Sequence, residues 1–238
     1  MPEATFGAHT GNEGSAILWG EWLGARLPAL GGYQGHGSWV TPQGTLMSWA
    51  VMMEGGVQIN CEGRRFHDET QGYSEAAVHV LAQPGGIAWN VFDAPLLVLA
   101  RGFPDFCDAE AAGALRRCES VVALADCIGC EPTVLQGTLD AMRGGTPPDG
   151  RVFARALDAP YFAVKVTGAL FHTQGGLDTA PDMRVLRHDG TPFANLFAAG
   201  GAAGGVSGDA VWGYLSGNGL LGAVAGGDNA ARARAGLM

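Results

Sequence analysis

Two short stretches carry residue types at spacings that could do chemistry. "GYLSGNGLLG", residues 213–222, sets Gly217, Gly219 and Gly222 at the G-x-G-x-x-G spacing, which in a nucleotide-binding fold bares backbone N–H groups to a pyrophosphate at a helix start. "CIGC", Cys127 to Cys130, is the only C-x-x-C of the chain, and its thiols could be redox-active or half of a zinc site. The surroundings complete neither. A dinucleotide fingerprint needs a second strand ending in an acidic residue about 20 residues on, whereas "AVAGGDNAARARAGLM" after Gly222 holds no strand. The glycines then open a helix and let it pack closely. With Ser216 as N-cap, the same helix start could also face an electron-rich group other than an ADP pyrophosphate. No second C-x-x-C or paired histidine accompanies Cys127 and Cys130, so they read as buried thiols, and no metal is expected. His9, His67, His79 and His188 read as surface or helix-face residues without metal-ligand spacing. Hydrolase elbows and Walker loops are missing from the sequence.

The elements that must hold such sites alternate along the chain. "NEGSAILWGEWLGARL", 12–27, carries Ile17, Leu18, Trp22, Leu23 and Leu27 at helical spacing and predicts an amphipathic helix. "GGVQIN" followed by "EGRRF" predicts a strand, a glycine turn and a return. "SEAAVHVLAQ", 74–83, predicts a helix capped by Ser74, and "IAWNVFD", 87–93, a buried strand. Residues 104–146 form a helical lobe, and "GTPPDG", 145–150, is the clearest linker. Beyond it "YFAVKVTGAL" reads as a strand, "MRVLRHDGTPF" as a hairpin and "NLFAAGG" as a short buried strand; 215–226 is a small-residue helix with a frayed tail. The class is α/β or α+β.

Composition narrows the function. At 238 residues, 47% hydrophobic and 16% charged, the chain can bury a sizeable core in one large or two modest domains. Its 39 glycines, far above the usual share and without a collagen period, imply many tight turns and close backbone approaches. A net charge of −9 without basic clusters argues against nucleic acid. No apolar run is long enough to span a membrane and the start is unlike a signal peptide, so the expected compartment is cytoplasmic, with no membrane partner; the five cysteines, an odd number, fit a reducing one.

"GGVQINCEGRRFHDE", "HTQGG", "NLFAAGGAAGGVSG" and "GYLSGNGLLGAVAGG", in this order, resemble the C-terminal half of the fumarate reductase/succinate dehydrogenase flavoprotein superfamily, which includes the 3-ketosteroid Δ1-dehydrogenases. The resemblance runs from about Gly11 to Ala231. It implies an incomplete FAD-binding domain with an inserted capping domain: 1–33 as the first remnant of the FAD-binding domain, 34–155 as the capping or substrate domain, and 156–238 as the rest of the FAD-binding domain. The expected N-terminal ADP-binding segment is not in the sequence, so the chain is expected to be a truncated product or one piece of a split protein, with room for a second chain to supply that segment.

The same resemblance implies FAD as cofactor, lined by His172, Thr173, Gly175 and Gly176 of "HTQGG" and by Gly200 and Gly201. It also implies that the helix starting over Ser216, Gly217, Asn218, Gly219 and Leu220 aims at the flavin ring. Gly201 stands where relatives often carry a glutamate. On the substrate side His36 matches a substrate-binding histidine of the fumarate type. Tyr73, Phe171 and Tyr214 replace its acid arginine, second histidine and other arginine, and Ser48-Trp49 replaces its Thr-Glu proton path. Tyrosines at 73 and 214 are the ketosteroid dehydrogenase pattern, in which one tyrosinate removes a proton beside a ketone, the other tyrosine hydrogen-bonds the ketone oxygen and the flavin takes hydride from the neighbouring carbon. A base at Tyr73 would need a pKa well below the free value of about 10. The expected activity is carbon–carbon dehydrogenation or ene reduction next to a carbonyl, on a small molecule more apolar than a dicarboxylate. The alternative is a non-catalytic fragment or binding module unable to retain FAD.

Overall fold

The computed structural model of the chain describes residues 4–143, 147 and 149–237. Along it run β1 (Thr5–Phe6), α1 (Ser15–Leu23), β2 (Tyr33–Val40), β3 (Thr45–Leu46), α2 (Ala50–Met53), β4 (Val57–Ile59), α3 (Tyr73–Leu81), β5 (Ile87–Asp93), α4 (Ala94–Ala100), α5 (Pro104–Ala111), β6 (Leu115–Cys118), α6 (Val121–Ile128), α7 (Pro132–Arg143), β7 (Tyr161–Thr173), β8 (Arg184–Leu186), β9 (Pro192–Phe197) and α8 (Asn218–Arg234). The mixture is α/β, as expected. The chain divides into two compact units, one of residues 1–7 and 35–170, the other of 8–34 and 171–238.

The first unit is built on a seven-stranded sheet in which β3-β2-β7-β5-β4 lie in order and β1 and β6 also pair with β7. β7 pairs antiparallel with β5 from Ile87↔Thr167 to Asp93↔Tyr161. The apolar residues of β5 and β7 (Val91, Phe92, Phe162, Val164, Val166) bury into one core with Leu96, Phe106, Leu124, Leu135 and Leu139 of the helices, and removing this area from water is the main term holding the unit together. Glycines in β2 let α3 approach closely: a Cβ on Gly35 or Gly37 would lie 2.6 Å from the Cβ of Ala77 or Ala76, so either substitution would push the helix off the strand.

The second unit has the smaller core of Ala25, Leu177, Val185 and Ala198, beneath the antiparallel β8–β9 hairpin.

Several local expectations change. α3 begins at Tyr73 behind Gly72, and the Ser74 hydroxyl accepts from Gly35 N (3.0 Å) rather than capping the helix. "EGRRF" forms no return strand, because Asn60 Oδ1 accepts from both Glu62 N and Arg64 N and curls the chain into a tight turn. "LRRC" is strand β6 rather than helix, supplied with backbone partners by β7. β9 is half-exposed rather than buried, and α8 continues to Arg234 where a frayed tail was expected. α1 forms, but Trp19 is 68% and Trp22 82% exposed, and the helix meets the core through Gly20, pressed onto Leu177, rather than through its large apolar residues. His67 is buried, not at the surface. Gly145, Thr146 and Pro148 of the expected linker lie outside the described residues.

Candidate functional site

In the second unit, the glycine-rich stretch and α8 enclose a cavity of about 300 Å³. One wall is a stripe of α8: Asn218, Gly219, Gly222, Ala225, Gly226 and Asn229, at the three- and four-residue spacing of one helical face. The opposite wall is Gly200 and Ala203 to Val206, with His172, Thr179 and Met183 beside it. The stripe is bare enough for close contact. A Cβ on Gly226 would reach 3.0 Å from Ala199 Cβ, where helix meets turn, whereas one on Gly222 would meet nothing within 4 Å and one on Gly219 only His172 Cε1 at 3.8 Å. The cavity-side glycines thus leave room that side chains would occupy.

The helix start is held from below. Gly217 takes the left-handed conformation (φ 84°) and is itself the N-cap in place of Ser216, with no side-chain cap bond. Asn218 is buried, and its Nδ2 donates to Ser207 Oγ (2.6 Å), which also accepts from Leu215 N (2.9 Å). With no side chain over the first turn, the N-terminal backbone amides keep their partial positive charge for a polar or anionic group.

"HTQGG" builds the floor. Gly176 is required by close approach, since a Cβ there would stand 2.3 Å from Ala203 C, and one on Gly175 2.9 Å from Leu30 Cδ2. Gln174, 1% exposed, is pinned by its backbone to Gly32 O (2.8 Å) and Gly205 N (2.7 Å). Its Nε2 lies 3.2 Å from His172 Nδ1, while its Oε1 is buried without a hydrogen-bond partner among the described residues. With Nε2 as donor, the His172 proton resides on Nε2 of the ring. Burial holds the His172 pKa below its usual value. The ring stands edge-on to Tyr214, 6.5 Å between centroids.

In the first unit, His36 on β2 is 6% exposed, stacks on Tyr73 (4.9 Å, 19°) and meets Trp49 edge-on (6.0 Å). Its Nδ1 accepts from Ser38 N (3.1 Å). Burial pushes its pKa down to about 3, so the imidazole is neutral at physiological pH. Trp49 Nε1 donates to Glu69 O (3.1 Å), and Ser48 Oγ accepts from Ala50 N (3.3 Å).

The segment before Tyr73 is held by a buried ionic cluster. Glu69, fully buried, accepts from Gln58 N (2.9 Å), Arg65 Nε (3.0 Å) and Nη2 (2.5 Å), and Arg151 Nη1 (2.6 Å). Arg65 also pairs with Asp149 (2.7 Å), and Arg151 donates to Met52 O and Gly56 O. Both guanidinium groups lie over the Phe153 ring. Burial alone would raise the Glu69 pKa; the hydrogen bond and charge of Arg65, then the charge of Arg151, more than offset it and hold the carboxyl below its ordinary value.

Of the residues expected to hold a cofactor, His172, Gly200, Asn218 and Gly219 line the cavity. Gly175, Gly176 and Gly217 shape its backbone. Thr173, Gly201, Ser216 and Leu220 are exposed. Phe171 is half-buried in β7. Sequence reasoning passed over Gln174 and Asn229; the small-residue period from Asn218 to Asn229 was the signal for the latter. Among the described residues no cluster of His, Cys, Asp or Glu could hold a metal ion, and no helix is long and apolar enough to cross a membrane.

A glycine- and alanine-walled cavity against a bare helix start, in an α/β chain, is the kind of site that takes a cofactor with a polar or anionic edge. The chain belongs to the FAD binding domain family, whose model matches residues 2–220, a family of flavin-dependent oxidoreductases with FAD as cofactor. It is 30% identical over 230 residues to a probable fumarate reductase of Shewanella frigidimarina, covering 92% of this chain and 38% of that protein. The open conformation of a flavocytochrome c3 fumarate reductase superposes with a TM-score of 0.73 at 28% identity, over 97% of this chain and 42% of that one. A KsdD-like steroid dehydrogenase of Mycolicibacterium smegmatis is 51% identical over 57 residues, 24% of this chain and 10% of that protein. The chain thus spans about two fifths of the length of the first two relatives.

Proposed function

We propose that the chain forms part of an FAD-dependent enzyme that dehydrogenates, or reduces, a carbon–carbon bond next to a carbonyl on a substrate more apolar than a dicarboxylate. The observation that carries this reading is the aromatic group of His36, Tyr73 and Trp49, packed ring against ring. A dicarboxylate needs cations, yet His36 is neutral and the buried guanidinium groups of Arg65 and Arg151 are engaged by Glu69. FAD, when bound, supplies the two-electron chemistry. His172, Gly200, Asn218 and Gly219 would hold it, the last two through the amides of the helix start. Tyr73 removes or returns the proton on the carbon beside the carbonyl, with His36 stacked on its ring. Tyr214 donates a hydrogen bond to the carbonyl oxygen, where negative charge grows as the proton leaves.

Two measurements test this. Purified protein titrated with FAD and desalted should keep a visible band near about 450 nm; colourless protein overturns the reading for this chain in favour of a non-catalytic binding module. With flavin bound, Tyr214→Phe should slow reduction by a cyclic ketone about 10²-fold, the usual cost of losing one oxyanion donor. An unchanged rate removes Tyr214 from its role.

A further inference from the structure

The two cysteines of the C-x-x-C motif have different thiol neighbours. Cys127 lies beside Cys118, whose thiol pKa is pushed up to about 11 by burial and then by Cys127. Cys130 instead faces Cys61. The two line one open groove with Glu62, Arg64 and Glu131, although 69 positions separate them in sequence.

Both thiols sit on backbone that local bonds fix. Cys61 is at the tip of the turn that Asn60 pins, with Asn60 N donating to Arg64 O (2.9 Å) and Gly63 N to Asn60 O (3.0 Å). Cys130 follows the left-handed Gly129 that ends α6, and its N–H donates to Ala125 O (3.1 Å). The turn is pressed onto the α6–α7 junction: Thr138 Oγ1 donates to Gly63 O (2.7 Å), and a Cβ on Gly63 would stand 3.1 Å from Cys130 Sγ and 3.3 Å from Leu135 N. Cys61 is exposed and Cys130 half-buried.

We propose that Cys61 and Cys130 are a redox-active dithiol that hydrogen peroxide closes to a disulfide. The Cys61 thiolate attacks one peroxide oxygen, the O–O bond breaks, Cys61 sulfenic acid forms, and the departing hydroxide takes up the proton that the thiol had released and leaves as water. Cys130 sulfur then displaces the sulfenic oxygen as a second water. The sum is two thiols and one peroxide giving one disulfide and two waters, the dithiol being oxidised by two electrons and the peroxide reduced. Cys61 reacts first because it is exposed to the peroxide, whereas Cys130 is half-buried beside it and is placed to resolve the sulfenic acid. The bond ties the turn that leads into Arg65 and Glu69 to the helical lobe.

The test treats the full chain with hydrogen peroxide, counts free thiols and maps tryptic peptides without reduction. The reagent-accessible count in denaturant should fall from five to three, with a cross-link joining peptide 27–64, which holds only Cys61, to peptide 118–143. Cys130→Ser and Cys61→Ser should each abolish that cross-link, and Cys127→Ser should keep it. The proposal is overturned if Cys61 stops at the sulfenic or sulfinic acid, if the cross-link survives Cys130→Ser, or if the disulfide joins Cys118 to Cys127 while Cys61 stays reduced. Circular dichroism of each serine variant confirms a folded protein before the map is read.

Discussion

Replacing Glu69 by Gln should cost the first unit more than any exposed ion pair could. The side chain accepts one neutral and three charge-assisted hydrogen bonds, all with partners that are nearly buried. The amide keeps one acceptor but leaves Arg151 with a buried charge and no ion-pair partner among the described residues, whereas Arg65 keeps Asp149 in reserve. Breaking a buried pair from one side costs about 3–5 kcal/mol. With a urea slope of about 1–3 kcal/mol per molar, the midpoint should fall by more than about 1 M. The sign with pH follows from the depressed carboxyl pKa. The stabilisation is fully present above the ordinary value of 4.5 and is lost as pH falls toward the folded-state pKa. Gln does not titrate, so the gap between the two proteins should be flat from pH 7 to about 5 and narrow by up to about 1 kcal/mol at pH 4. Urea melts of both proteins at pH 7 and pH 4 measure it, and Glu69→Gln/Arg151→Met should recover at least about 1 kcal/mol. A loss below about 1 kcal/mol at pH 7, or a gap that widens in acid, would refute the assignment of Glu69 as the counter-ion of a buried cluster.

Two further outcomes are expected. Gly176→Ala should lower stability by about 1–3 kcal/mol, because its Cβ would meet the Ala203 backbone at 2.3 Å; thermal melting checks it, and Gly222→Ala, which meets nothing, is the control that should not fall. In an NMR titration, the His36 and His67 rings should stay neutral down to about pH 5, since burial lowers their pKa to about 3 and about 4. The unfolded chain takes up those protons near 6.5, so both residues make stability fall as pH drops below about 6.5, and a His36 titration at its ordinary pKa would show that the ring is not buried.

What could be read beforehand was what a local pattern specifies. The glycine stretches at 198–205 and 217–226, the strand "IAWNVFD" and the β8–β9 hairpin each carry their signal within a few residues. What could not be read depended on distant partners. Ser74 has a good cap residue's chemistry, but a Gly35 amide 39 positions away takes its hydroxyl. Nothing near Arg151 announces that it will be buried against Glu69, 82 positions earlier. The apolar spacing of α1 forecasts a helix correctly and a buried face incorrectly, because periodicity reports which residues share a face and says nothing of what covers it.

The cavity wall on α8 has a thermodynamic side. Four of the seventeen residues of this helix are glycines, Gly219, Gly222, Gly226 and Gly227, and each weakens a helix interior by about 1 kcal/mol relative to alanine. The same bareness that leaves room for a ring system therefore makes the wall a poor helix in isolation. Whatever fills the cavity becomes part of the local fold, so ligand affinity and the order of the first turns of α8 are one coupled equilibrium, in which losing the ligand loosens the helix rather than leaving a rigid hollow.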